Sequence, residues 1–276
     1  MLQDNSLIVS LSVCIWSARK LDRKVTDEVN KSHNASDDAG RYNKLLVSKE
    51  HLDKIQKVMG ESRIFHYENT LPWGDNNERL LPASNYFDYV QKMAEFKGKF
   101  ERETQEFLAN YDKVIEEAKV RLNGMFRDAD YPSRQEIVNK FSFKNSFMPV
   151  PDTDFRIKLK EEEVQKLREQ LKTEVTNRLE EAVKDTWTRI KDQLQHMRDR
   201  LRNPDAIFRD SLFNNLKELV GLLPKLNVTN DDNLNKVCAE MSSIIVHPES
   251  VRQNPDLRQI KADEVDQVLN KFNQFF

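Results

Sequence analysis

One stripe of apolar side chains constrains this chain more than any other feature. Val164, Leu167, Leu171, Val175, Leu179, Val183, Trp187, Ile190, Leu194, Met197 and Leu201 recur through a stretch that is otherwise charged. Ten steps over 37 residues give a mean spacing of 3.7. That is the period of one helix face, and it is nearer to an eleven-residue than to a seven-residue repeat. It predicts one fairly straight or slightly right-handed helix from about Glu161 to Arg202. Glu161, Glu162 and Glu163 crowd its first turn, and Arg198, Arg200 and Arg202 its last, the arrangement the helix macrodipole favours. A stripe this long has to be covered by something. The candidate is a second long helix from Ser84 to about Arg127, where Met93, Phe100, Thr104, Phe107, Tyr111, Val114, Ala118, Arg121 and Met125 follow a near-heptad, coiled-coil-like seam. At about 1.5 Å per residue that helix spans roughly 60 Å, with Gly98 and Gly124 as its weak points.

Charged residues make up 33% of the chain and hydrophobic ones 38%, with only six glycines, as expected of long helices with wide solvated faces. The rest of the chain is more varied. Leu7 to Ile15 alternates and is β-branched, which predicts a strand, and a helix is expected from Ser17 to about Lys31. The segment from Ser32 to Tyr42 is polar and reads as a loop. Ser48 caps a helix carrying Leu52, Ile55, Val58 and Met59. Tyr67 to Pro82 is punctuated by Pro72, Gly74 and Pro82 and reads as an ordered loop. A short helix follows over Arg134 to Lys140, and then a prolyl stretch whose best strand is Asp154 to Leu159. Asn203-Pro204-Asp205 stops the long helix, and three shorter helices are predicted over Asp205–Leu223, Thr229–Val246 and Ala262–Phe275.

The expected class is therefore mainly α: a long antiparallel helical hairpin with a small β-sheet at its base and a C-terminal helical bundle. The sheet would pair the N-terminal strand with the strand near Phe155. The expected division is 1–160 as an α+β region including the first long helix, 161–203 as the second long helix, and 204–276 as the bundle.

The net charge of −2 argues weakly against a dedicated nucleic-acid binder, which usually carries a basic excess. Cys14 and Cys238 cannot staple so long a chain and show no zinc spacing, so reduced thiols and a cytoplasmic location are expected. The apolar segment Leu7–Trp16 is too short to span a bilayer, and its basic residues follow it, the wrong end for a signal peptide.

There is no phosphate-cradling glycine loop, dinucleotide turn, HExxH or GxSxG, so no catalytic residue, metal or cofactor is expected. Three groups of side chains could still carry a function. The basic run Arg19, Lys20, Arg23 and Lys24, and the cluster Arg189, Lys191, Arg198, Arg200 and Arg202, could contact phosphates or a protein partner. Against this stands a solvated helix face or a dipole-matched helix end. The aromatic group Phe65, His66, Tyr67, Trp73, Tyr86, Phe87 and Tyr89 could stack on bases, against the simpler reading that its rings pack a loop onto the core. Asp152, Asp154 and Lys158 vaguely resemble a two-metal nuclease core, against a turn followed by helix-capping acids.

Several phrases taken together resemble a family of bacteriophage and integrative-element proteins catalogued only as a domain of unknown function. They are Ser10–Val25, Gly40–Leu46, Thr70–Asp75, Arg79–Pro82 with Asn85-Tyr86, Tyr131-Pro132 and Pro149–Arg156. The resemblance covers roughly the first 160 residues. Such proteins tend to be encoded near a MoxR-like AAA+ ATPase, a von Willebrand-type protein and recombination genes. The resemblance implies a phage or mobile-element origin, the host-cell cytoplasm, and an adaptor role toward an ATPase-linked or DNA-processing assembly. It carries over no catalytic residue.

Three functions follow from these observations. The first is a non-enzymatic helical protein that forms homo-oligomers and binds protein partners, an AAA+ ATPase among them, without a membrane. The second is a DNA-associated protein that binds single strands, anneals them or protects ends. The third is a metal-dependent nuclease.

Overall fold

The protein's structure, a computed structural model, describes residues 2–74, 77–152 and 161–272. In chain order its elements are α1 (Leu2–Asn5), β1 (Ser6–Cys14), β2 (Arg19–Leu21), α2 (Arg23–Ser32), β3 (Asn43–Leu45), α3 (Glu50–Glu68), β4 (Leu71–Pro72), β5 (Glu78–Pro82), α4 (Tyr86–Ala109), α5 (Tyr111–Leu122), α6 (Arg134–Val138), β6 (Ser142–Pro149), α7 (Glu161–Arg202), α8 (Ser211–Leu226), α9 (Asp232–Ile244), α10 (Pro248–Gln253) and α11 (Pro255–Phe272). Helix makes up 68% of the described residues, which settles the class as mainly α. The chain forms two compact units, one of Met1–Ser10, His66–Tyr89 and Ser146–Phe276, the other of Leu11–Phe65 and Val90–Asn145. The expected first region, 1–160, thus contributes to both.

The first unit is organised by the second half of α7. Ile190, Leu194 and Met197 are fully buried against Leu216 of α8, Met241 of α9 and Val265 of α11. The stripe legible in the sequence thus finds its cover, from Trp187 onward, in the helices that follow it. Burying such side chains is worth about 1.5–3 kcal/mol each, enough to hold four short helices that would be marginal alone. A smaller core gathers Ile8, Leu71, Trp73 and Leu80 with Ala182 of α7.

The antiparallel sheet runs in the order β4-β5-β1-β6. β1 pairs with β5 from Ser6↔Pro82 to Ser10↔Glu78, and β5 with β4 at Leu71↔Leu80 and Pro72↔Arg79. The segment read as a loop therefore holds two strands. Its prolines hid them: Pro72 lies in a two-residue edge strand and Pro82 at a strand end, positions where a missing N–H is tolerated. The expected strand partner near Phe155 lies outside the described residues.

The second unit has an aromatic core. Trp16 packs on Phe107 and Tyr111 with ring centroids 6.2 and 6.0 Å away, and Phe100 packs on Phe143 at 5.7 Å. The first long helix is interrupted once. The Asn110 side-chain amide donates to the Glu106 carbonyl at 2.8 Å, competing with the backbone, and α5 restarts when Val114 N–H bonds Asn110 O at 3.0 Å. Gly98, an expected weak point, sits inside continuous helix, and Gly124 lies in the 3-10 turn after α5. The expected helix over Ser17–Lys31 begins later, at Arg23, because Arg19–Leu21 pairs with Asn43–Leu45 as a small ribbon.

Candidate functional site

The residues singled out in the sequence fall in three places. The first is the C-terminus of α3, in the first unit. A helix end leaves carbonyls without partners, and two arginines fill the gap. Arg189 of α7 donates to the carbonyls of Glu68, Tyr67 and Thr70 at 2.7, 2.9 and 2.8 Å, and its Nε is held by Asp185 at 2.8 Å. Arg79 of β5 donates to the Thr70 hydroxyl at 2.7 Å and lies over the Tyr67 ring at 4.9 Å. His66 Nδ1 is 2.7 Å from the Tyr89 hydroxyl. Burial, helped by the charge of Arg79, pushes the imidazole's pKa down to about 4, so it is neutral near pH 7. Trp73 is 1% exposed, so its ring has no face to offer a base, although Tyr67 and Phe87 stay exposed. This cluster reads as a helix terminus tied down by guanidinium groups.

The second place is α7 itself. Arg198 pairs with Asp199 at 2.8 Å, and Arg202 pairs with Asp263 at 2.8 Å and with Asp266, both of α11. Arg200 is exposed. These cations sit at the negative end of the helix, where positive charge is stabilising. The first half of α7 differs from the second: Leu167, Leu171, Val175 and Leu179 are only half-buried.

The third place is in the second unit, where the basic run meets residues the sequence did not point to. Ala18, at φ 50°, turns the chain from β1 into β2. Lys20 then stands directly across the ribbon from Lys44. Asp22 caps α2 by accepting from Val25 N–H at 3.3 Å, and its own N–H donates to Tyr42 O at 2.9 Å. Lys44 is buried, with its ammonium 3.3 Å from Asp22, 2.7 Å from Asp130 and 2.7 Å from the Met125 carbonyl. Burial works against the Asp22 charge, but the Val25 N–H, Lys44 and Arg127 outweigh it and hold the carboxyl below its usual range. Above this ion triad opens a cleft of about 630 Å³ lined by Lys20, Arg23, Lys24, Lys44, Arg127, Asp22, Asp27 and Asp130. Arg19, on the same ribbon, is exposed.

Lys44 had one faint signal. Lys44 shares the alternation of Leu46, so the pattern itself placed a lysine on a buried face. Asp130 and Arg127 had none, since a turn brings them in. Among the described residues no three His, Cys, Asp or Glu side chains gather as a metal site, and Asp154 and Lys158 of the nuclease reading lie outside them. No helix among those residues is long and apolar enough to cross a membrane.

A two-unit, mainly helical protein with a short antiparallel sheet and one dominant helix is the class these features define. The chain belongs to the family described as "Protein of unknown function (DUF3150)", which matches residues 3–203. The match runs past the first 160 residues, takes in all of α7 and leaves α8–α11 outside. No curated protein and no solved structure matches the chain.

Proposed function

We propose that this is a non-enzymatic helical protein that self-associates and binds protein partners through the first half of α7. The observation that carries this reading is the contrast along one stripe. Leu194 and Ile190 are fully buried, whereas Leu167, Leu171 and Leu179, in the same register, are only half-buried, with Val164 buried and Val175 packed on the smaller core. A stripe of that length beside solvated charged faces is the pattern of a helix that meets another helix. A second copy supplies that helix. The family match covers the whole of α7, which places the stripe in the shared part of these proteins. The resemblance to proteins encoded beside a MoxR-like ATPase supports an adaptor role in an AAA+ or DNA-processing assembly of phage or mobile-element origin. Two free thiols suit the cytoplasm.

Light scattering coupled to size exclusion tests this on the full chain. A discrete oligomer is expected, reduced to a monomer in the double variant Leu167→Lys, Leu171→Lys with its circular dichroism unchanged. A wild-type chain that stays monomeric at every concentration overturns the reading.

A further inference from the structure

The partner-binding reading leaves the basic run Arg19–Lys24 unused, and the structure gives that run a setting its sequence did not show. Two arrangements of charge converge on the cleft of the second unit. First, α2 begins with Arg23 and Lys24, has no acidic residue in its first turn, and carries at that end the Asp22 cap, whose carboxylate the Lys44 ammonium already holds. Cations at that end oppose the macrodipole, which costs each of them about 0.3–1 kcal/mol when exposed. The arginines at the end of α7 sit at the favourable end, so the dipole accounts for that cluster and not for this one. Second, Lys20 stands directly opposite Lys44 across the β2–β3 ribbon, which adds a cation beside one whose charge Asp22 and Asp130 already offset.

Neighbouring carboxylates, Asp27 at the mouth among them, offset this charge only in part. Asp22 and Asp130 are taken up by the Lys44 ammonium beneath. Lys24 reaches Glu28 only at 3.9 Å, between two well-exposed side chains. Among the described residues Lys20 and Arg23 have no ion-pair partner, and Arg127 acts on the Asp22 carboxylate only through its charge. The cleft is lined by five cations and three carboxylates, on a floor fixed by three contacts to one buried ammonium. Tyr42, whose carbonyl holds the Asp22 N–H, is exposed beside it.

We infer that this cleft binds phosphate groups, with Lys20, Arg23, Lys24 and Arg127 as the contacting cations and the Asp22–Lys44–Asp130 triad as the group that positions them. An anionic oxygen there offsets the cations at the start of α2, whose cap carboxylate is already held by Lys44. Guanidinium groups bind phosphate in a two-pronged fashion, and Arg23 and Arg127 each present such a fork. The phosphates come from a single-stranded nucleic-acid backbone or from a free nucleotide, and the two sources share this chemistry.

Fluorescence anisotropy on the full-length chain tests it with a labelled oligothymidylate, and with ATP and pyrophosphate as competitors. Oligothymidylate is expected to bind at about 50 mM salt and to weaken steeply by about 200 mM. The double variant Arg23→Glu, Arg127→Glu should weaken binding about tenfold or more and lower the salt slope by about two contacts. Lys20→Gln should give a smaller loss, and Arg198→Glu with Arg200→Glu, an equal charge change at the end of α7, should leave affinity unchanged. Competition by ATP or pyrophosphate, or their saturable binding without oligothymidylate binding, assigns the cleft to free phosphate compounds. No binding of any of these probes at low salt overturns the inference. So does equal binding by the wild type and the Arg23→Glu, Arg127→Glu variant with circular dichroism intact. A monomeric chain would leave this site untouched, because its residues belong to the second unit and none lies on α7.

Discussion

A neutral histidine buried against a tyrosine makes part of this fold sensitive to acid. His66 is 3% exposed, and its pKa in the folded chain is about 4, below the 6.5 of a free imidazole. The unfolded chain therefore binds the extra proton first as pH falls. Stability from this site is fully present above about pH 6.5 and is lost as pH falls toward 4, by on the order of 3 kcal/mol in all. Urea unfolding at pH 7 and pH 5 should show the first unit weakening at the lower pH. In His66→Gln, which keeps a hydrogen-bonding group but cannot titrate, that difference should shrink. An identical pH dependence in the variant would show that the slope arises elsewhere. At this scale the sequence revealed residue types but not their surroundings. Arg189 and Arg23 look alike in the chain, yet one closes a helix terminus with three hydrogen bonds and the other faces an open cleft. What separates them is tertiary placement, which periodicity does not encode.

Periodicity does encode whole elements when they are long. The stripe of α7 located that helix to within a residue, because eleven apolar positions repeat a single angle. The first long helix was legible too, apart from the stop at Asn110, where a local side-chain bond to Glu106 competes with the ladder. Short strands were not legible. β4 is two residues long and contains a proline, and β2 and β3 are three residues each, too short for alternation to be recognised. The two halves of α7 should respond differently to the same truncation. Leu194→Ala removes a fully buried side chain from among α8, α9 and α11, and about 2–5 kcal/mol is expected to be lost in urea unfolding. Leu171→Ala, at a half-buried position, should cost well under half of that while weakening self-association. If the two cost the same, the first half of the stripe is already fully covered within the monomer, and the partner-binding reading loses its surface.

For the molecule as a whole, the family match ends at residue 203, immediately after α7, while the side chains that bury the second half of α7 all lie beyond that point. A core shared between a family region and a segment outside it makes the C-terminal helices a requirement of the first unit. Removing residues 203–276 would expose Trp187, Ile190, Leu194, Met197 and Leu201 together, a contiguous apolar face of the kind that drives association. Such a truncated chain is expected to aggregate, or to pair through α7, at concentrations where the full chain does not. In hydrogen exchange its amides from about Val183 to Arg202 should lose protection. The amides of α4 and α5 around Phe107 and Tyr111 should keep theirs, because that aromatic core is built within the second unit. If α7 stays protected in a monomeric truncated chain, the bundle is dispensable and the stripe is stable without its cover. If α5 loses protection as well, the two compact units unfold as one, and the acid sensitivity of His66 should then be felt throughout the chain.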